Sequence, residues 1–271
     1  MTPPENKLKI AGITLVKNED LYIERVLTNV LDFCDEIKVI DNESTDNTYT
    51  IAKELAEKNE KIQLFKLEDK DLIRSHKLFV EEYANTNTWV FSVDGDEIYD
   101  PKGLKKLKPE ILSGKYQKFF RIRAHVLHCV KLDLETNVAK GYMAPPSRPL
   151  SNLYNFSILE SWEEERNQKF IGTNKVFKNG FKVSDEFRFY NEFNWDNTIF
   201  RLLHTCFLRR SSVQRTATRT NVGEKFSGRT KRWKRFFQNL SDGRISFSSP
   251  YKLRNYKKGT LVTKDVKEFF I

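Results

Sequence analysis

The chain has 271 residues, a formal net charge of +10, 39% hydrophobic residues and 21 Phe. That is ample apolar surface for a buried core, which excludes a disordered chain, and no apolar run reaches the ~20 residues of a membrane span. Cys34, Cys129 and Cys206 are odd in number and widely spaced. They fit neither a disulfide framework nor a zinc site, and they predict a reducing, cytoplasmic setting. The opening MTPPENKLKI lacks the apolar core of a signal peptide.

Residues 10–16 are apolar and rich in β-branched types, which predicts a first strand ending at Lys17-Asn18-Glu19. Asp20 is placed to cap a helix whose apolar face is Ile23, Val26, Leu27, Val30 and Leu31. A second strand over 37–40 stops at Asp41-Asn42-Glu43-Ser44-Thr45-Asp46, and a second helix carries Ile51, Ala52 and Leu55. A third strand covers 62–65, a third helix 72–83, and a fourth strand over 89–93 runs into Asp94-Gly95-Asp96-Glu97. This alternation implies right-handed βαβ units, a parallel sheet, and a ligand beyond the carboxyl ends of its strands. The polar clusters after strands one, two and four therefore converge on one edge.

No Gly-rich loop follows the first strand and no GxxxxGK[ST] occurs, which excludes a dinucleotide oxidoreductase and a P-loop enzyme. An acidic crevice that accepts a phosphorylated ligand needs a cation between carboxylate and phosphate. Asp94 and Asp96 point the same way on an extended backbone, and Gly95 lets a ligand approach it. Paired hard carboxylates suit Mg2+ or Mn2+ bridging a diphosphate. An isolated D-G-D-E is otherwise a surface turn. The apolar strand before it favours the site.

ITLVKNED, VIDNESTDNT and WVFSVDGDE, in that order and spacing, resemble the nucleotide-binding half of a family-2 glycosyltransferase of GT-A fold, over about residues 8–100. The resemblance implies a nucleotide-diphosphate sugar donor, with a UDP-sugar favoured, a divalent metal at the D-x-D motif, and inversion at the anomeric carbon. Carried over by position, Leu15, Val16, Glu19, Asp41 and Glu43 border the base and ribose. Asp94 lies by the ribose and metal, Gly95 lines the approach, Asp96 ligates the metal, and Arg74 touches the nucleotide or its diphosphate. Many relatives read D-D-G-S after strand two, where this chain has Asp41-Asn42-Glu43-Ser44, so the base it reads is open.

After Pro101 a basic segment runs to Lys118. FFRIRAHVLH then alternates as a strand with Arg121, Arg123 and His125 on its second face. That face is either solvated or meets an anionic acceptor. MAPPSRP, over 143–149, reads as an acceptor loop or lid. NKVFKNGFKVSDE, over 174–186, is similar to a basic-aromatic-Gly hairpin in the lipopolysaccharide-core glucosyltransferase branch, where it precedes a His-Glu pair and, later, a leucine-rich stretch with a His. That resemblance implies Glu186 as general base with Asp185 as its rival, and His204 reaching the metal or diphosphate. Glu160 and Glu163 to Glu165 are further rival carboxylates. His204 is otherwise a core histidine.

Residues 201–271 hold 18 Lys/Arg and 4 Asp/Glu, so the excess positive charge lies there. Within them Trp233, Phe236, Phe237 and Leu240 share one face of a basic helix over 229–240, which is either a core-facing helix or a peripheral contact at the inner face of a membrane. The reading is an α/β, mostly parallel GT-A half over 1–100, a mixed acceptor-binding and catalytic half over 101–210, and a basic C-terminal helical extension over 211–271. The expected activity is metal-dependent sugar transfer to a hydroxyl of a glycan or glycolipid. The rivals are a sugar-phosphate nucleotidyltransferase, which needs a Gly-rich basic loop that Lys17-Asn18-Glu19 does not supply, and a nucleic-acid-binding protein, which leaves the ordered acidic motifs unexplained.

Overall fold

The computed structural model describes residues 7–68, 75–150, 153–162, 175–214 and 255–271. Strand β1 (Lys9–Val16) is buried along nearly its whole length, as a strand covered on both faces must be. Helix α1 (Ile23–Val30) follows, with Ile23, Val26, Leu27 and Val30 all fully buried. Strand and helix then alternate through β2 (Glu36–Asp41), α2 (Thr48–Lys58), β3 (Ile62–Lys66), α3 (Ser75–Val80) and β4 (Thr88–Ser92). Next come β5 (Glu97–Tyr99) and α4 (Pro101–Leu112), whose cap Asp100 accepts from the N–H groups of Lys102 and Gly103. The remaining elements are β6 (Arg121–Arg123), β7 (His125–Asp133), β8 (Val138–Ala144), β9 (Leu153–Asn155), β10 (Leu159–Trp162), β11 (Lys175–Phe177), β12 (Glu186–Arg188), α5 (Phe189–Glu192), β13 (Arg201–His204) and β14 (Leu261–Asp265).

A seven-stranded sheet runs in the order β12-β6-β9-β4-β1-β2-β3. Its β4-β1-β2-β3 half is parallel throughout, and β9 is antiparallel to β4. A second, five-stranded sheet has the order β14-β8-β7-β13-β5. β4 belongs to the first sheet and β5 to the second, so the acidic turn over 93–96 is the junction between the two. The larger core cluster joins α1, α4 and both sheets. There Tyr99 packs edge-on against Phe91 at 4.7 Å and stacks on Phe200 at 5.8 Å. A smaller cluster around Ile13, Ile40, Val90 and Tyr154 covers the opposite face of the first sheet.

Four local expectations are corrected. Asp20 does not cap α1, which has no side-chain cap. Its carboxylate instead accepts from Ser212 N at 2.7 Å, because a distant segment competes for it. The FFRIRAHVLH strand breaks at Ala124, β6 and β7 joining different sheets, and His125 is buried against Tyr190 and Trp195 and not aligned with Arg121 and Arg123. Residues 175–186 are not a hairpin: β11 pairs with β10, and β12 pairs parallel with β6. Local turn chemistry, Gly180 at φ 89° included, marks the reversal but cannot name the partner strand. The C-terminal extension is not helical throughout, since β14 pairs antiparallel with β8. The predicted 229–240 helix lies outside the described residues. Among the described residues no helix is long and apolar enough to cross a membrane.

Candidate functional site

The loops after β1 and β2 are tied together. Asn18 and Glu43 both take left-handed backbone, φ 56° and 53°. Asn18 N donates to Ser44 Oγ at 3.0 Å, and Asn18 Oδ1 accepts from Thr45 N at 2.7 Å. Asp41, 2% exposed, accepts from Ser44 N through Oδ2. Its buried Oδ1 has no hydrogen-bond partner among the described residues. A buried acceptor left so is costly, and a donor from a base or ribose would satisfy it. Leu15 is half-buried and Val16 buried beside it, while Glu43 is exposed.

The Asp94-Gly95-Asp96 segment is a turn and not extended strand: Glu97 N donates to Asp94 O at 2.9 Å. The two carboxylates accordingly differ, Asp94 half-buried and Asp96 1% exposed. Gly95 is required sterically, because a Cβ there would overlap Glu19 Oε2 and crowd Val16. Glu19 thus packs directly on the acidic turn.

β13 lies antiparallel to β5, with His204 opposite Glu97. This register carries His204 Nε2 to 3.5 Å from Asp96 Oδ2, which joins two residues predicted from separate motifs. The chain then crosses the acidic loops. Arg210 pairs with Glu19 and reaches Asp96 Oδ2 at 3.4 Å, and Ser211 Oγ donates to Asp46 Oδ2 at 2.5 Å. Sequence reasoning missed Arg210, whose only signal was its share of the C-terminal basic charge.

It also missed His128. The parallel register of β7 and β13 sets His128 beside His204, 76 residues away, where no spacing rule reaches. His128 Nε2 lies 2.9 Å from Arg148 O, and His128 Nδ1 lies 2.8 Å from His204 Nδ1. A carbonyl only accepts, so His128 Nε2 carries the proton. Burial holds the His128 pKa well below its ordinary value, so the ring is neutral and its Nδ1 is an acceptor. His204 Nδ1 therefore donates to His128, which leaves Nε2 as the ring nitrogen that faces Asp96. Tyr256 packs on both rings, at 4.5 and 5.2 Å.

These groups fit a hard divalent cation. Neighbouring ligands in an octahedral shell with bonds of about 2.1 Å stand about 3 Å apart, close to the Asp96–His204 separation. The carboxylate donors suit Mn2+ or Mg2+, and an imidazole beside them favours Mn2+ of the two. Arg210 supplies positive charge beside the same carboxylates.

The predicted base does not fit. Glu186 is paired with Arg121, Arg123 and Arg188. Burial would raise its carboxyl pKa, but hydrogen bonds and charge from those arginines override it and bring it down to about 2. A carboxylate so held is a weak proton acceptor. The strand register places Glu186 level with Arg121, Tyr154 and Val90, and so three strands from β4 and four residues short of Asp94. At ~4.8 Å per strand, that is about 14 Å to the side alone. Asp185 is one residue further from the edge, and its Oδ2 accepts from Lys182 N. Glu160 is exposed. Arg74 and Glu163 to Glu165 lie outside the described residues.

The sequence pattern of the family described as Glycosyl transferase family 2 matches residues 13–216. The chain is 26% identical over 155 residues to an uncharacterised glycosyltransferase of Rickettsia conorii, covering 54% of this chain and 48% of that protein. It is 37% identical over 95 residues to one of Rickettsia typhi, covering 33% and 28%. The chain thus spans about half or less of these relatives. Among solved structures it is similar to S. aureus TarS at 17% identity and TM-score 0.36, over 56% of this chain and 48% of that one. It is also similar to glucosyl-3-phosphoglycerate synthase of Mycobacterium tuberculosis, solved with Mn2+ and UDP, at 17% identity and TM-score 0.32, over 46% and 50%.

Proposed function

The chain belongs to glycosyl transferase family 2, and from that premise we propose that it transfers a sugar from a nucleoside-diphosphate donor to an acceptor hydroxyl with the aid of a divalent cation. The observation that carries this reading is the meeting of Asp96, Glu19, His204 and Arg210 at the carboxyl edge of the parallel strands. Asp96, Asp94 and His204 would hold Mn2+ or Mg2+, which when bound offsets the charge of the leaving diphosphate. Arg210, already against Glu19 and Asp96, adds fixed positive charge beside the diphosphate. Asp41 would accept a hydrogen bond from the base or ribose, with Leu15 and Val16 lining that end and Glu43 at its rim. Displacement from the face opposite the diphosphate would invert the anomeric centre. UDP-sugars are the first donors to test, and a glycan or glycolipid hydroxyl is the acceptor class.

A nucleotidyltransferase reading is disfavoured because the loop after β1 is Lys17-Asn18-Glu19 and not a Gly-rich basic loop. The test is calorimetric titration of UDP, GDP and their sugars with and without Mn2+. Binding of at least one nucleotide that strengthens tenfold or more with Mn2+ is expected. Equal binding with and without the cation would remove the metal from the proposal, and no nucleotide binding would remove the donor.

A further inference from the structure

Directly paired residues on neighbouring strands share a face of the sheet. On the edge formed by β6 and β12, Glu186 is opposite Arg121 and Arg188 is opposite Arg123, so all four side chains project to one side. Glu186 accepts from Nε of Arg121 at 2.5 Å, of Arg123 at 2.8 Å and of Arg188 at 2.5 Å. Three permanent positive charges thus share one carboxylate, and guanidinium cannot shed its proton to relieve the excess. Among the described residues no second carboxylate pairs with them. The Arg121 and Arg123 side chains are only 21% and 16% exposed, so water screens the surplus poorly. Each guanidinium has five N–H groups in a planar fork. Glu186 takes Arg121 and Arg123 through Nε, which leaves their terminal forks suited to a second anion, while Arg188 gives it a terminal nitrogen as well as Nε and keeps fewer N–H groups to offer. Half-buried Tyr190 stands beside the same four groups, and burial, the largest effect on it, raises its pKa, so it keeps its proton and remains a donor.

The cluster lies on the side of β4 away from the nucleotide loops. Ile122 is level with Leu153 and Phe91, so Arg123 is level with Ser92, two residues before Asp94 and two strands, about 10 Å, to the side. That is too far to touch a reacting hydroxyl. It suits a group one saccharide or polyol unit further along an acceptor.

We propose that Arg121, Arg123 and Arg188 bind an anionic group of the acceptor, a phosphate or carboxylate, with Glu186 as the internal carboxylate that holds the three guanidinium groups until the acceptor arrives. The word acceptor rests on the sugar-transfer reading above. The anion site itself does not.

The test uses the full chain in EDTA, titrated by calorimetry with inorganic phosphate and, separately, acetate, at constant ionic strength set by chloride. Wild type is expected to bind phosphate weakly, in the millimolar range. Arg188→Gln, at a half-exposed position, is expected to weaken it at least threefold, and Arg123→Ala tenfold. Glu186→Gln, which removes the competing carboxylate, is expected to tighten it several-fold, an outcome that neither a catalytic base nor a purely structural ion pair produces. Preference for phosphate or for acetate names which anion the acceptor carries. If Glu186→Gln melts too low to titrate, Arg188→Gln decides. Equal phosphate binding by all variants, or none by wild type, overturns the proposal. A separate titration of wild type with UDP and Mn2+ isolates the sugar-transfer reading: its failure with the phosphate series intact would leave an anion site without a donor.

Discussion

His128 accepts from Nδ1 of His204, so Nε2 is the nitrogen with which His204 would ligate a cation. That relay runs from Arg148 O through His128 to His204 and ends at Asp96. Losing such an orienting partner typically costs 10–100-fold in metal affinity. His128→Phe, which keeps a ring but no acceptor, is expected to weaken Mn2+ by about that factor in an EPR titration. His128→Asn, whose Oδ1 can stand where Nδ1 stood, should stay within a few-fold, and equal affinity in both variants would show that the relay orients nothing. Asp96→Asn should lose Mn2+-dependent nucleotide binding while keeping its metal-free binding. A cation dependence that survives that change would move the metal elsewhere.

His125 and Glu186 are among the residues that set the acid response. Burial first, then Lys264 and Arg201, lower His125 to about 4. Between pH 6.5 and 4 the unfolded chain binds a proton there that the folded chain does not, so stability falls as pH drops through that window. His125→Phe should reduce the slope of the melting-temperature profile between pH 6.5 and 4.5, the remainder coming from buried His128, and an unchanged slope would assign it to other groups. Glu186, lowered to about 2, contributes stability that is present above pH 4.5 and lost as pH falls toward 2.

β13 is the element that assembles the site, since it pairs with β5 on one side and β7 on the other and so sets His204 against Asp96 and His128. β14 closes the other edge of the same sheet. Just beyond it Phe269 is fully buried, stacked on Trp195 at 6.0 Å, and its carbonyl accepts from Asn29 Nδ2 at 2.9 Å. The C-terminal residues are therefore part of the core that supports α1. Phe269→Ala should cost about 3–5 kcal/mol, the usual range for a buried aromatic. Urea unfolding would measure it, and a cost under 1 kcal/mol would mean that the C-terminal turn is not docked in solution.

The whole molecule pairs an acidic nucleotide half, with 12 Lys/Arg and 22 Asp/Glu over residues 1–100, with a strongly basic C-terminal quarter. A ligand at a hundred times its Kd stabilises the fold by about 2.7 kcal/mol, or roughly 5 °C in a domain of this size. UDP with Mn2+ should give a shift of that order, larger than either alone. For residues 229–240 the sequence pattern fits a core-facing helix or a peripheral contact with anionic lipid, where each basic residue would contribute ~1 kcal/mol near the surface. If it lies on lipid, the protein should sediment with anionic liposomes at low salt and be released at high salt. Replacing Trp233 and Phe237 with Ser should weaken sedimentation with no loss of melting temperature, whereas a fall in melting temperature would place those aromatics in the core.

From its sequence alone, this protein's parallel half was determined: the apolar runs of β1, β2 and β4, the helical face of α1, and the acidic clusters that follow those strands. Those signals are local, since strand, helix and cap preferences act over a few residues and βαβ handedness leaves little choice of topology. Asp96 was legible for the same reason, as the end of a buried strand. What tertiary structure decided was every partner across long separation. His128 and Arg210 reach the site through β7, β13 and the segment after it, and pairing register is invisible in any short window. The same physics removed Glu186 from the role its neighbours in sequence suggested, because a carboxylate's chemistry is set by the charges folded around it, and three arginines from two strands surround this one.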